Sequence, residues 1–369
     1  MIDPQSFERL RAIGLAPAVF SQLMNMTHSS ALTQLMRVTE VQREGLTLHD
    51  GQQKWPARQL PALRKHLLES ADALAVGDWV LVDPVAQGPW WVHARVPPIN
   101  QLARRLHDGR DKLTRTVIVS NVDTALLVMG LDQDFSLRRL ERYLALVQMA
   151  GVRPVVVLSK ADLCANVAAR LAQVQALLPA SAAAVALNTL GDEVPTALAP
   201  WLAAGQTLVL LGSSGAGKST LTNSLTWTLQ SRHQQRTGGN RRRDGHGRHT
   251  TTTRSLHLTP SGACIIDTPG LRTLRLDGDA ASLGSVFEDI TQLASRCRFR
   301  DCGHGLEPGC AVREAVPAER LRSFQKLQRE ALRDTVTAVQ RKAQVQVWKA
   351  RGRDATQRIE AKRSGGGRD

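Results

Sequence analysis

Between Phe7 and Met26 the apolar residues Leu10, Ile13, Leu15, Val19, Phe20 and Leu23 recur at loosely helical spacing. Gly14 and Pro17 interrupt the run, which predicts a pair of short helices. From about Ala31 to Arg115 the texture changes to short alternating stretches such as Arg37-Val38-Thr39-Glu40-Val41 and Asp78-Trp79-Val80-Leu81-Val82. Gly45, Asp50-Gly51, Gly77 and Gly88-Pro89 separate them. Short strands punctuated in this way suggest a small barrel. An oligonucleotide-binding (OB-like) barrel is the leading expectation, and an unrelated small β domain is the alternative.

Beyond Arg115 buried-type strands alternate with amphipathic stretches. Val117-Ile118-Val119, Thr124 to Met129, Pro154 to Leu158, Ala182 to Leu187, Gln206 to Leu211 and Ala263 to Ile266 read as strands. Ser136 to Met149, Asn166 to Leu178 and Pro195 to Leu202 read as helices. Such alternation implies a mainly parallel sheet covered by helices on both faces, with ligands at the carboxyl ends of its strands.

Three motifs fall at those ends. Gly212-Ser213-Ser214-Gly215-Ala216-Gly217-Lys218-Ser219-Thr220 follows one strand and enters a helix-compatible stretch, matching G-x-x-x-x-G-K-[ST] without a mismatch. Its amides would face a β-phosphate, Lys218 would reach the β and γ oxygens, and Ser219 would hold Mg²⁺. Ser159-Lys160-Ala161-Asp162 follows another strand. A carboxylate at Asp162 accepts from guanine N1–H and the exocyclic amine, whereas adenine would leave it unpaired, so GTP is expected over ATP. Ser159 stands where asparagine is usual, and the stem of Lys160 can cover the base. Asp267-Thr268-Pro269-Gly270 closes a third strand, with Asp267 placed to orient a Mg²⁺-bound water and Gly270 to lend its amide to the γ-phosphate. Between the two phosphate motifs, Gly247-Arg248-His249-Thr250-Thr251-Thr252-Thr253 supplies a threonine to complete the Mg²⁺ shell. The guanine motif comes first in the chain, where an ordinary GTPase would place it last, so the sheet is threaded in permuted order.

Charge adds a partner. The chain has 369 residues, enough for several domains, and a formal net charge of +15. Arg232, Arg236, Arg241, Arg242, Arg243 and Arg248 crowd one glycine-rich loop, while Lys342, Lys349, Arg351, Arg353, Arg358, Lys362 and Arg363 load the tail. Basic clusters beside a nucleotide site favour a polyanion, nucleic acid above all. The start of the chain lacks signal-peptide character and no apolar run is long enough to span a membrane, so a cytoplasmic protein is expected.

Cys297, Cys302, His304 and Cys310 supply three thiolates and an imidazole, the ligand count of a closed tetrahedral zinc site that holds a segment together without doing chemistry. Cys164 and Cys264 read as small core residues.

The permuted order, the His249-Thr250-Thr251-Thr252 run, Asp267-Thr268-Pro269-Gly270 and the cysteine cluster together resemble the bacterial ribosome small-subunit-dependent GTPase A (RsgA) family, over about residues 31 to 320. The resemblance implies a ribosome-activated GTPase that binds the 30S subunit and its 16S rRNA, assists late maturation, hydrolyses GTP and dissociates. It further implies that Thr251 is the switch threonine and a Mg²⁺ ligand. Leu271 stands where many GTPases have a water-orienting glutamine, and the resemblance assigns that role to His249 instead. Packing or phosphate contact is the other reading of His249. A GTP/GDP-gated RNA-binding module with incidental hydrolysis is the alternative function, and an ATP-dependent nucleic-acid enzyme a third.

The expected organisation is multidomain. A helical extension spans 1–30, an OB-like β-barrel 31–113 and a circularly permuted α/β P-loop GTPase domain 114–275. A zinc-binding, mainly helical domain spans 276–340 and a basic, partly disordered tail 341–369. A monomer is expected. The permutation leads the loop after Asp267 directly towards the zinc segment, so loss of the γ-phosphate would move that domain relative to the barrel.

Overall fold

The computed structural model describes residues 3–26, 33–42, 45–83, 88–107, 113–179, 182–226, 254–268, 283–284 and 286–335. The N-terminal pattern forms two helices, α1 (Pro4–Ala12) and α2 (Pro17–Met24). Asp3 caps α1 by accepting from the Ser6 amide, and each helix begins at proline, whose missing N–H costs nothing there. Gly14 turns the chain between them at φ +93°, and a Cβ there would fall 2.1 Å from Arg37 Nη1. The turn is thus seated directly on that guanidinium.

The alternating region closes into a barrel. β1 (Gln34–Val41), β2 (Leu46–His49) and β3 (Lys54–Gln59) run as an antiparallel meander; β4 (Trp79–Asp83) and β5 (Trp90–Arg95) complete it. β3 pairs parallel with β5, β5 with β4, and β4 back with β1, while α3 (Pro61–Glu69) lies between β3 and β4 in the chain. Five strands in the cyclic order 1-2-3-5-4 make the OB-like barrel. Met36, Val38, Leu48, Val80, Val82 and Val92 fill it with no exposed surface. The other face of β1 is buried as well, because Leu35 joins Trp79 and Leu81 against the rest of the molecule.

A hairpin of β6 (Gln101–His107) and β7 (Leu113–Ser120) connects the barrel and the α/β domain. The stretch Val117 to Val119, read as the start of the alternating region, is therefore a hairpin strand. Its neighbour is β6, since the register of seven paired residues outcompetes any place in the parallel sheet.

The α/β domain contains β8 (Thr124–Gly130), α4 (Leu137–Met149), β9 (Arg153–Ser159), α5 (Val167–Gln175), β10 (Ala183–Ala186) and α6 (Val194–Leu198). It continues through β11 (Thr207–Leu211), α7 (Lys218–Thr226), β12 (Ser255–Leu258) and β13 (Cys264–Asp267). Its strand order is β10-β9-β8-β11-β13-β12, parallel except for β12. The guanine-motif strand β9 precedes the phosphate-loop strand β11 in the chain, which is the permuted threading. β12 also pairs antiparallel with barrel strand β1 at Glu40 and Ser255, so the barrel and the α/β domain share one eleven-stranded sheet.

Arg37 pins this junction. Wholly buried under Trp79, it donates to Ile13 O, to Asn121 O at 3.2 Å, to Thr207 Oγ1 at 2.9 Å and to Cys264 Sγ at 3.6 Å. One side chain thereby joins the N-terminal turn, the barrel, the linker and two strands of the parallel sheet.

C-terminally, α8 (Glu288–Ala294), α9 (Ala311–Ala315) and α10 (Ala318–Thr335) pack Phe287, Ile290, Val312, Leu321 and Leu327 into the core layer that also holds α4. Ion pairs tie α10 to α4: Arg320 to Glu141, Arg138 to Glu319 and Arg142 to Glu330, at 2.6 to 2.7 Å. Among the described residues no helix is long and apolar enough to cross a membrane. The basic loop from Arg232 to Arg248 and the tail 341–369 lie outside the described residues.

Candidate nucleotide site and metal centre

The phosphate loop leaves β11, every residue of which is buried, and enters α7 at Lys218. Gly212 is required by its neighbour: a Cβ there would lie 2.3 Å from Val128 O on β8. Gly215 and Gly217 adopt φ +82° and +91°, turning the intervening main chain inward at the start of α7, where the helix dipole favours an anion. Ser214 and Thr220 lie in the same loop and first helical turn. Lys218 is 6% exposed, and its ammonium donates to Gly212 O at 3.0 Å and Ser213 O at 2.7 Å. Burial pushes its pKa down, opposed by the charges of Asp267 and Asp134.

Ser219 Oγ donates to Asp267 Oδ2 at 3.4 Å. Asp267 Oδ1 is buried with no hydrogen-bond partner, and that burial raises its pKa against the pull of Lys218 and Ser219. A hydroxyl beside an unsatisfied buried carboxylate oxygen is the hard-oxygen donor set that suits Mg²⁺.

At the other end of the site, β9 stops at Ser159 and Lys160 takes the left-handed conformation at φ 59°, leading into a single 3₁₀ turn from Ala161 to Leu163. The turn leaves Asp162 exposed at the carboxyl edge of the sheet. Ser159 is fully buried and its hydroxyl donates to Ala216 O at 2.7 Å, so the residue in the usual asparagine position binds the phosphate loop. Lys160 Nζ pairs with Asp132 Oδ2 at 2.6 Å.

Three residues here were not singled out from sequence. Asp132 and Asp134 lie in the loop after β8, and Thr189 in the loop after β10. Thr189 is buried, accepts from Ser224 Oγ of α7 through its carbonyl, and its hydroxyl sits 3.5 Å from where a Gly217 Cβ would be. The available signal was position alone: both loops follow strands at the ligand-binding edge.

In the C-terminal segment Cys297, Cys302, His304 and Cys310 bring their ligand atoms within 4.8 Å of one another. His304 Nδ1 lies 3.7 Å from Cys297 Sγ and 3.5 Å from Cys310 Sγ, and the two sulfurs are 4.0 Å apart. Tetrahedral zinc with ordinary bond lengths has N–S edges of about 3.6 Å and S–S edges of about 3.8 Å. The four residues therefore fit the ion. Glu307 supports the loop by accepting from the amides of Gly303 and Gly305, and Gln325 of α10 donates to the carbonyls of Gly303 and His304.

A family profile described as RsgA GTPase matches residues 97–277. The small ribosomal subunit biogenesis GTPase RsgA of Xylella fastidiosa strain Temecula1 is 42% identical over 321 residues, covering 86% of this chain and 91% of its own. The protein of the same name from Xanthomonas campestris pv. campestris strain B100 is 42% identical over 301 residues, 81% of this chain and 79% of its own. The chain belongs to the RsgA GTPase family. Among solved structures, YjeQ from Thermotoga maritima superposes with a TM-score of 0.58 at 22% identity, covering 82% of this chain and 99% of its own. YloQ, a circularly permuted GTPase, gives 0.54 at 22% identity over 84% and 99%. These two show the same fold.

As an RsgA GTPase the chain hydrolyses GTP, and its family's chemistry uses Mg²⁺. His249, Thr251 and Gly270 lie outside the described residues. The segment carrying the first two is bounded by Thr226 at the end of α7 and Arg254 just before β12.

Proposed function

We propose that this chain is a ribosome-activated GTPase of the cytoplasm that binds the 30S subunit as a monomer, contacting 16S rRNA. It assists late maturation and leaves once GTP has become GDP and phosphate. The observation that carries this reading is 42% identity over 91% of a protein named small ribosomal subunit biogenesis GTPase. A net charge of +15 and an OB-like barrel, a common oligonucleotide-binding architecture, support an RNA partner.

In this reading Asp162 and Lys160 read guanine, with Ser159 bracing the loop from below. The main chain of 212–217 and Lys218 hold the β- and γ-phosphates, and Thr220 continues the first turn of α7. Ser219 and Thr251 would hold Mg²⁺, which would supply neutralisation of developing phosphate charge, and Asp267 would orient water beside it. Gly270 donates its amide to the γ-phosphate. His249 accepts a hydrogen bond from the attacking water and turns its lone pair towards phosphorus. Zinc held by Cys297, Cys302, His304 and Cys310 would be structural, since four protein ligands would leave no place for substrate.

Activation by a partner has a structural support. β12 follows the segment with His249 and Thr251 and is hydrogen-bonded to barrel strand β1. A partner that grips the barrel therefore acts on the strand to which the catalytic segment is attached. The test is GTP hydrolysis by the wild-type chain and by His249→Ala, each with and without purified 30S subunits. Strong stimulation of the wild type, abolished by the substitution, is expected; equal turnover with and without subunits would sink the activation reading.

A further inference from the structure

The strand order β9-β8-β11 places the loop after β8 between the guanine-reading loop and the phosphate loop. That loop, Leu131 to Phe135, bonds to both. On the base side, Leu131 N donates to Ser159 O at 2.9 Å and Asp132 Oδ2 pairs with Lys160 Nζ at 2.6 Å. On the phosphate side, Asp134 accepts a short hydrogen bond from Ser213 Oγ, in the second position of the phosphate loop. The two aspartates are themselves joined through the main chain. Asp134 N donates to Asp132 Oδ1 at 3.0 Å, and Asp134 Oδ2 accepts from Gly130 N at 3.1 Å. Arg139, in the first turn of α4, closes the arrangement on Asp134 Oδ1 at 2.6 Å.

No residue of the loop after β8 belongs to a phosphate or guanine motif, yet each end of the nucleotide site is tethered to it. Given the nucleotide site proposed above, we infer that Asp134 and Asp132 are positioning residues for guanine-nucleotide binding. Asp134 acts through Ser213 on the phosphate loop and Asp132 acts through Lys160 on the base contact. Neither carboxylate touches the reacting atoms in this role. They hold the free site near its bound shape, so that less ordering remains when nucleotide arrives. Because bound GTP and bound GDP use the same phosphate-loop and base contacts, affinity for both should fall together when the tethers are cut. Turnover at saturating GTP should be preserved in the Asp132 and Asp134 variants, the pattern of lost uniform binding.

The experiment uses the full chain and a fluorescent N-methylanthraniloyl-GDP titration, paired with steady-state GTP hydrolysis and thermal melting. Ser213→Ala and Asp134→Ala should each raise the Kd about fivefold, the worth of one hydrogen bond. The double variant should be no weaker than the poorer single one, because both remove the same link. Asp134→Asn retains one oxygen that accepts from Ser213 and should recover part of the affinity, although its pair with Arg139 and the acceptor for Gly130 N are lost. Asp132→Asn should raise the Kd about two- to threefold, as expected for a partly exposed ion pair. An unchanged Kd with a lower melting temperature would overturn the inference and leave Asp134 as a support for the start of α4. Additive effects of Ser213→Ala and Asp134→Ala would overturn it as well. Failure of the wild type itself to bind guanine nucleotide would instead bring down the nucleotide-site reading on which the inference rests.

Discussion

In the proposed nucleotide site the phosphate end is made chiefly of main chain, whereas the base end is made of side chains held by neighbouring loops. At the phosphate end, Gly212, Gly215 and Gly217 set the path, and the buried Lys218 folds back onto two loop carbonyls. At the base end, Lys160 is held by Asp132, and Asp162 projects from one 3₁₀ turn. Main-chain geometry is fixed once the strand and helix on either side are packed. Side-chain geometry depends on the integrity of each partner. The phosphate end should therefore supply most of the affinity, and the base end the choice between nucleotides.

The harshest way to break this division is Lys218→Ala. The substitution removes charge-assisted hydrogen bonds to the phosphates, each worth about 1.5–3 kcal/mol, and should weaken GTP and GDP by about 10²-fold or more. Calorimetric titration with each nucleotide checks it. Binding within tenfold of wild type would mean that the base end carries more of the affinity than this geometry allows. Asp162→Asn attacks the other end. Exchanging an acceptor pair for an amide leaves guanine N1–H or its amine unpaired, and should cost about tenfold to 10²-fold against GTP. The same change should improve xanthosine triphosphate, whose C2 carbonyl can accept from the new amide. A competition assay with the two nucleotides reads the exchange directly; no shift towards xanthine would remove Asp162 from the base contact.

The same contrast explains what could be seen in the sequence. The phosphate loop was legible because its glycines obey a local constraint, and the cysteine cluster because its ligands lie within one short segment. The barrel was legible in its alternation. Its attachment was not, because the pairing of Glu40 with Ser255 joins strands far apart in the chain, and β1 is buried on both faces. Arg37 shows the difficulty most sharply. An arginine in an alternating strand reads as solvent-facing, yet here acceptors from Ile13, Asn121, Thr207 and Cys264 converge on it in the interior. Asp132 and Asp134 look like ordinary turn residues until the strand order sets their loop between the two nucleotide loops. Local chemistry is written in spacing, whereas long-range contacts depend on a topology that spacing does not encode.

The smallest predicted effect tests where Ser159 belongs. Its place in the guanine motif assigns it to the base end, but its hydroxyl is buried and bonded to Ala216 O, in the phosphate loop between Gly215 and Gly217. Ser159→Ala would leave that carbonyl without its donor and loosen the peptide that aims the neighbouring amides. The loss of one buried hydrogen bond is worth about 1 kcal/mol, or about fivefold in Kd. If Ser159 serves the phosphate end, GTP and GDP should weaken together, and the preference for guanine over adenine nucleotides should stay as in the wild type. If it serves the base end, the preference should narrow. Titrating Ser159→Ala with GDP and ADP separates the two, and the 2.7 Å contact with Ala216 predicts the first outcome.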